Sequence, residues 1–328
     1  MLDSETFGEL YQSTSHLNLA GKIARRVLKS GIRIVKNSRP DLIWVKREAA
    51  IFGPSVLEVL ATRAWKVPLI VDLDDSTWIP YKSPTHGTLA RMLKFPSKTN
   101  ALIRRARLVT CGSNFIEDHV RNLGTPTFLI PSCLDLSCYK PKEVQPQENT
   151  PTIGWIGTHT TFPALVELFP ALDQLTKYHE FQVLIVGRGN QKINVPGNIN
   201  IVFRDWSLER EPGDFAALDI GLYPISPGPW AEGKSALKSV QYLACGVPFV
   251  ASPVGQAREV GRESVTNFFA RTPKEWYDRI EDLLVSPGLR TSMGLAGRNY
   301  ACEHHDANVL AQGLAERMWE VYKKSRDD

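Results

Sequence analysis

Four groups of residues in this sequence have the types and spacing to do chemistry. The first is Gly154-Trp-Ile-Gly157-Thr158-His159-Thr160-Thr161, which follows a short apolar run and precedes an amphipathic one. At such a turn, backbone N–H groups and the positive end of a helix dipole can hold a phosphate or diphosphate, and glycine lets the backbone come close. Every parallel sheet has several such turns, so a plain connection is the competing reading. The pattern is not G-x-G-x-x-G, which speaks against a nicotinamide dinucleotide. The second group is Gly233-Lys234-Ser235-Ala-Leu-Lys238-Ser-Val-Gln241. On a helix beginning near Gly233, positions 234, 238 and 241 share one stripe, and Leu237, Val240, Leu243 and Ala244 form the core-facing side. Cations in a first helical turn oppose the dipole, and an anion bound there relieves the conflict; a solvated lysine face is the alternative.

The third group is Asp72, Asp74 and Asp75, at the end of the apolar run that starts at Pro68. Carboxylates so close repel one another. They suit a divalent metal, sugar hydroxyls or the capping of the next segment, and ligands of parallel sheets bind at the carboxyl ends of strands. The fourth is charge. Residues 10–40 hold seven basic side chains (Lys22, Arg25, Arg26, Lys29, Arg33, Lys36, Arg39) and no acid, interleaved with Ile23, Val27 and Ile34. Residues 81–116 add seven more, again without an acid. An anionic lipid surface or an anionic acceptor suits both stretches, and a solvated helix face is the alternative. No nucleic-acid module or stacking pattern is present, so nucleic acid is not expected.

Hydropathy shows what must position these residues. Short apolar runs alternate with longer amphipathic ones, the signature of βα units around a parallel sheet. In the first half, strands are expected near Leu42–Val45, Pro68–Asp72, Leu108–Cys111 and Thr127–Ile130, with helices near 19–36, 54–65, 87–106 and 113–123. A polar, proline-containing stretch at 141–151 reads as a linker. Strands then recur at Thr152–Ile156, Phe181–Val186, Ile199–Phe203, Ile220–Tyr223 and Pro248–Ala251, with a helix at about 162–177 and a helical tail over about 287–325. The expected fold is α/β, two Rossmann-like domains in tandem.

Composition sets the outer limits. With 328 residues, 43% hydrophobic and 23% charged, the chain is long enough for two domains and too apolar to be disordered throughout. The net charge of +4 hides an asymmetry. Residues 1–145 carry 21 Lys/Arg against 13 Asp/Glu, and the remainder 18 against 22, so a basic half is joined to a mildly acidic one. The five cysteines (Cys111, Cys133, Cys138, Cys245, Cys302) have no C-x-x-C spacing, which argues against a disulfide framework or structural zinc and for a reducing, cytoplasmic setting. The first twenty residues have no apolar run of the signal-peptide type, and no stretch approaches a membrane span.

The block DIGLYPISPGPWAEGKSALKSVQYLACGVPFVASPVG, 219–255, resembles the donor-binding signature of the retaining GT-B glycosyltransferases of family 4, the group 1 glycosyltransferases. GWIGTHTT (154–161) and LIVGRGN (184–190) resemble the first two strand–loop units of the same domain, and VKREA (45–49), VDLDDSTW (71–78) and LIPSCLDLSCYKP (129–141) resemble the acceptor-side domain. The resemblance runs from about residue 20 to 320. It implies a GT-B fold, with two Rossmann-like domains facing across a cleft. The acceptor-side domain would be 1–145, the linker 146–151, the donor domain 152–302, and a C-terminal helix, 303–328, would pack back on the first domain.

The activity implied is transfer, with retention, of a sugar from a nucleotide diphosphate sugar to a glycan or lipid-linked acceptor, in envelope or exopolysaccharide synthesis at the inner face of the membrane. No metal and no bound cofactor are implied, because helix dipole and cations stabilise the leaving diphosphate. On this basis the Gly157 and Thr158 backbone, Lys234, Ser235 and Lys238 hold the diphosphate end of the donor, Gln241 the ribose, and Arg188 with Asp205 and Trp206 border the base. Asp74 and Asp75 contact the transferred sugar or acceptor; Asp74 falls where many relatives carry a histidine.

Three departures from the family pattern stand out. The two glutamates common in the donor block are Gly233 and Gln241 here. The Arg and Lys that often follow the first donor-domain strand are replaced by Thr158–Thr161, so Lys234 and Lys238 are assigned the missing charge. The opening strand, glycine-containing loop and further βα unit of the first domain have no counterpart, implying a misplaced start or a reduced domain. The alternative function is therefore a catalytically reduced nucleotide-sugar-binding or partner subunit; a sugar-nucleotide epimerase is a third.

Overall fold

The computed structural model describes residues 38–50, 53–80, 95–141, 150–189, 195 and 197–327, together with positions 25, 28, 29, 31, 32 and 36. Two compact units are present: residues 1–130 with 314–328, and residues 131–313.

The first unit holds a parallel four-stranded sheet in the order β1-β2-β3-β4, formed by β1 (Ile43–Lys46), β2 (Leu69–Leu73), β3 (Leu108–Cys111) and β4 (Thr127–Leu129). Helices α1 (Val56–Trp65), α2 (Ser97–Arg105) and α3 (Asn114–Asn122) connect them. The central strands are apolar almost throughout, as a parallel sheet covered on both faces requires, and Leu69, Val71, Leu73, Val109, Leu102, Ile103, Ile116 and Val120 make one core. Ser113 starts α3, its side chain accepting from Ile116 N–H at 3.3 Å, so the chain turns into helix immediately beyond β3.

The second unit is built on six parallel strands, β5 (Thr152–Ile156), β6 (Gln182–Val186), β7 (Ile201–Arg204), β8 (Ile220–Tyr223), β9 (Phe249–Ala251) and β10 (Asn267–Phe269). Their order is β10-β9-β8-β5-β6-β7. Alternate residues of β6 feed separate cores on the two faces: Leu184 and Val186 join Phe215, Val240, Tyr242 and Phe249, whereas Val183 and Ile185 join Ile153, Phe162, Leu165 and Ile280. The helices are α4 (Phe162–Val166), α5 (Phe169–Leu175), α6 (Glu211–Ala216), α7 (Pro229–Glu232), α8 (Leu237–Ala244), α9 (Pro273–Val285) and α10 (Pro287–His304). The final helix, α11 (Ala307–Asp327), continues into the first unit, where the Arg317 guanidinium lies 5.5 Å from the centre of the Phe128 ring.

Every expected strand forms, within two residues of its expected bounds. Four of the labelled elements had no sequence counterpart: α6, the short α7, α9 and the short β10, whose Asn267 gives it no apolar alternation. One expectation is corrected. The helix expected from Gly233 begins only at Leu237, because Ala236 adopts the left-handed conformation (φ 53°) and α7 has already ended at Glu232.

The unit boundary also differs from the expected 145/146 and falls after Ile130. Residues 131–141 are tied into the second unit by polar contacts. Arg298 donates to the carbonyls of Tyr139 and Ala244, both at 2.6 Å, the His305 ring bonds the Ser132 carbonyl at 2.7 Å, and Leu134 N–H donates to the His305 carbonyl at 3.0 Å. Of the basic stretch 22–39, Arg25, Lys29 and Lys36 are helical and exposed; Lys22, Arg26 and Arg33, the segment 81–94 and most of the linker lie outside the described residues.

Candidate functional site

In the second unit β5 and β8 are neighbours, and their chain connections leave in opposite directions, towards β6 and towards β9. Such a reversal opens a crevice at the carboxyl ends of the strands. The donor-binding candidates lie in the connections that leave those ends or in the helix that follows. Gly157 and Thr158 follow β5, Arg188 follows β6, Asp205 and Trp206 follow β7, Lys234 and Ser235 follow β8, and Lys238 and Gln241 stand on α8. The loops after β5 and β6 touch closely. Gly187 has φ +84°, and a Cβ there would come within 2.2 Å of the Gly157 carbonyl oxygen, so no other residue fits the crossing.

Two of these candidates, and a third through Tyr139, converge on a residue that the sequence reading does not single out. Glu211, the first residue of α6, accepts from the Trp206 indole N–H (2.9 Å) and pairs with the Lys238 ammonium (3.5 Å) through one carboxylate oxygen. Its other oxygen accepts from the Tyr139 hydroxyl at 2.9 Å, and that hydroxyl accepts from the Gln241 amide at 2.9 Å. Burial disfavours the Glu211 carboxylate, but the Trp206 bond, the Lys238 charge and the Tyr139 bond outweigh it and hold the pKa below the usual glutamate range. For Lys238 the balance goes the other way: burial lowers its pKa, and Glu211 opposes the shift. The ammonium also lies 5.3 Å from the centre of the Phe215 ring. A glutamate ahead of a proline is a helix-start signal, but its meeting with Lys238 depends on the fold.

The other donor-side candidates differ in their engagement. The Gly157 N–H donates to the Val186 carbonyl (3.1 Å) and the Thr158 N–H to the Thr161 hydroxyl (3.2 Å), so both N–H groups expected at the diphosphate have partners within the protein. Gln241 is buried and gives its amide N–H to Tyr139, while its Oε1 has no hydrogen-bond partner among the described residues. Lys234 does not share a helical stripe with Lys238 and Gln241, since it precedes the left-handed Ala236. Ser235 offers its carbonyl to the Ser132 hydroxyl (3.0 Å). The Arg188 guanidinium lies 4.2 Å from the centre of the Phe203 ring, Asp205 accepts from Arg210 through its carbonyl (2.7 Å), and Trp206 is 48% exposed.

In the first unit the acidic cluster sits at the carboxyl end of β2, beside the end of β1. Arg47, held at φ 57° with its N–H on the Asp72 carbonyl (2.7 Å), spans Asp74 and Asp75. It donates through Nε to Asp74, through Nη2 to the second Asp74 oxygen (2.9 Å), and pairs with Asp75 at 2.6 Å; Lys46 adds a contact to Asp74 at 3.2 Å. Burial pushes the Asp74 pKa up, but Arg47 and Lys46 override it and the net shift is downward. Asp72 is shifted upward, burial outweighing the Thr110 hydroxyl that donates to it at 2.6 Å. Asp74 is thus an ionised acceptor for hydroxyl groups, already matched in charge.

A cavity of about 610 Å³ in this unit lies at the opposite, amino-terminal ends of β3 and β4, against the last turns of α11. Among the described residues no group of three or more His, Cys, Asp or Glu side chains could hold a metal ion, and no helix is long and apolar enough to cross a membrane.

Residues 150–286 match the family model of the glycosyl transferases group 1. No curated protein matches the chain. Among solved structures it is similar to sucrose-phosphate synthase from Thermosynechococcus elongatus, with a TM-score of 0.68 and 15% identity over 95% of this chain and 81% of that one. It is also similar to Anabaena Alr3699/HepE in complex with UDP-glucose (TM-score 0.66, 19% identity, 91% of this chain and 82% of that one). A trehalose-6-phosphate synthase studied for glycosyl transfer with retention is a third (TM-score 0.65, 12% identity, 94% and 80%). The chain has the GT-B fold, and its residues 150–286 are similar to the group 1 glycosyltransferases.

Proposed function

We propose that this protein is a retaining glycosyltransferase that moves a sugar from a nucleotide diphosphate sugar to a glycan or lipid-linked acceptor of envelope or exopolysaccharide synthesis. The observation that carries the reading is the meeting of Trp206 and Lys238 on Glu211, with Gln241 linked to it through Tyr139; all but Tyr139 lie within the stretch that matches group 1 glycosyltransferases. The UDP-glucose bound to Alr3699/HepE and the retention named for the trehalose-6-phosphate synthase support it by analogy of fold. In this reading Lys238 and Lys234 neutralise the charge that develops on the departing diphosphate, Trp206 and Arg188 border the base, and Gln241 meets the ribose. Asp74 and Asp75 accept hydroxyl groups of the transferred sugar or acceptor. Because Arg47 and Lys46 already supply counter-charge to that pair, the transfer is assigned to protein cations without a metal.

A thermal-shift panel of UDP, GDP and their sugars, followed by transfer and hydrolysis assays with and without a chelator, tests the proposal. A bound nucleotide at 100 times its Kd adds about 2.7 kcal/mol of stability. Absence of a shift with every nucleotide refutes the reading, and activity abolished by the chelator refutes the metal-free step. One observation favours a second reading, a nucleotide-sugar-binding subunit without turnover: the Gly157 and Thr158 N–H groups and the Gln241 amide are already engaged. Binding without transfer or hydrolysis selects it.

Association with the inner face of an anionic membrane is part of the same proposal. Arg25, Lys29 and Lys36 lie on exposed helical positions with Leu28 and Ile32 exposed beside them, a face that suits lipid headgroups. Co-sedimentation with vesicles that is insensitive to anionic lipid and to salt would remove this element alone.

A further inference from the structure

The donor domain lacks both glutamates of its family pattern, at Gly233 and Gln241, yet a glutamate from another helix stands beside the second of these positions. A carboxylate only accepts hydrogen bonds. With Glu211 accepting, the Tyr139 hydroxyl must donate to it, and must therefore accept from Gln241. That fixes the amide: Gln241 turns its NH₂ to Tyr139 and is left with Oε1 as an unpartnered acceptor, in a side chain only 1% exposed. The same carboxylate holds the Trp206 indole and the half-buried Lys238 ammonium. Four segments meet there: the stretch 131–141, the connection after β7, α6 and α8.

We infer that Glu211 is a positioning residue of the donor site, its single carboxylate setting Lys238, Trp206 and, through Tyr139, the acceptor face of Gln241 for the nucleotide. The inference rests on the donor-binding reading proposed above. Around Lys238 the charged partner is Glu211 and the neutral one the Phe215 ring; around Glu211 stand Tyr139, Trp206 and Lys238. Removing the Glu211 charge leaves burial alone acting on Lys238, so the lysine gives up its proton at lower pH.

The test compares wild type, Glu211→Gln and Tyr139→Phe by calorimetric titration with UDP and GDP across pH 6–10, an alkaline range chosen to cover lysine deprotonation (roughly 10.4 unperturbed). Glu211→Gln is expected to weaken the nucleotide bound by wild type by about tenfold to a hundredfold and to move the alkaline fall in affinity to lower pH. Tyr139→Phe frees Gln241 but keeps the Glu211–Lys238 pair, so affinity falls about tenfold while the alkaline limb stays put. Unchanged affinity and an unchanged limb in Glu211→Gln overturn the inference and leave the functional reading standing. Should Glu211→Gln not fold, wild-type affinity in Tyr139→Phe overturns it instead. A wild type that binds neither nucleotide overturns the functional reading and this inference with it.

Discussion

Arg47 touches both Asp74 and Asp75, and its removal leaves two half-buried carboxylates side by side, with Lys46 still paired to Asp74. Because the folded Asp74 pKa lies below its ordinary value, the pair stabilises the protein above the unfolded pKa near 3.8 and is lost as pH falls through the lower folded value. Arg47→Met is therefore expected to cost about 1–2 kcal/mol at pH 7 and nothing at a pH below both values. Urea melts at neutral and strongly acidic pH measure the difference, and an equal loss at both shows that Arg47 acts through packing alone. On the donor side, Lys234→Met and Lys238→Met separate two cations that the sequence treats as equivalent. If Lys234 meets the diphosphate, its loss lowers UDP or GDP affinity by about tenfold or more; titration with affinity unaltered removes it from the site.

At the scale of elements, local signals did most of the work. Runs such as Leu69-Ile70-Val71 and Val183–Val186 are continuously apolar because both faces of a parallel sheet are covered, so β2 and β6 were legible without tertiary context. The start of α8 was not. Nothing in Gly233-Lys-Ser-Ala announces that Ala236 takes a left-handed conformation, and the same ambiguity hid α6, a helix of fewer than two turns. Backbone strain of this kind can be tested at an exposed site. Lys66 ends α1 at φ 50°, with its N–H on the Thr62 carbonyl at 3.0 Å. Glycine suffers no Cβ penalty there, so Lys66→Gly is expected to stabilise the first unit by about 0.5–1 kcal/mol, read as a higher melting temperature. A lower one would mean that the lysine side chain contributes more than its conformation costs.

For the whole molecule, each unit has its own hydrophobic core, and the chain ends in a helix shared between them by residue number. Residues 314–328 group with the first unit, where Arg317 covers Phe128. Deleting them is expected to lower the stability of that unit by about 1–3 kcal/mol and leave the second unchanged. Hydrogen exchange resolves the two, and equal deprotection of both units would contradict the assignment. The same measurement in saturating UDP or GDP is expected to protect the second unit first, by the linkage of about 2.7 kcal/mol at 100 times Kd.

The two sheets, the segment similar to group 1 glycosyltransferases and the carboxylates at the end of β2 were readable from the sequence, because hydropathy period and short glycine-rich turns are local properties of a segment. The tertiary structure alone decided that Arg47 neutralises Asp74, that the Gly157 and Thr158 N–H groups have partners within the protein, and that Glu211 joins Trp206, Lys238, Tyr139 and, through Tyr139, Gln241. Those partners lie from 3 to 102 residues apart along the chain, and only the order of the strands brings distant carboxylates, cations and amides within bonding range.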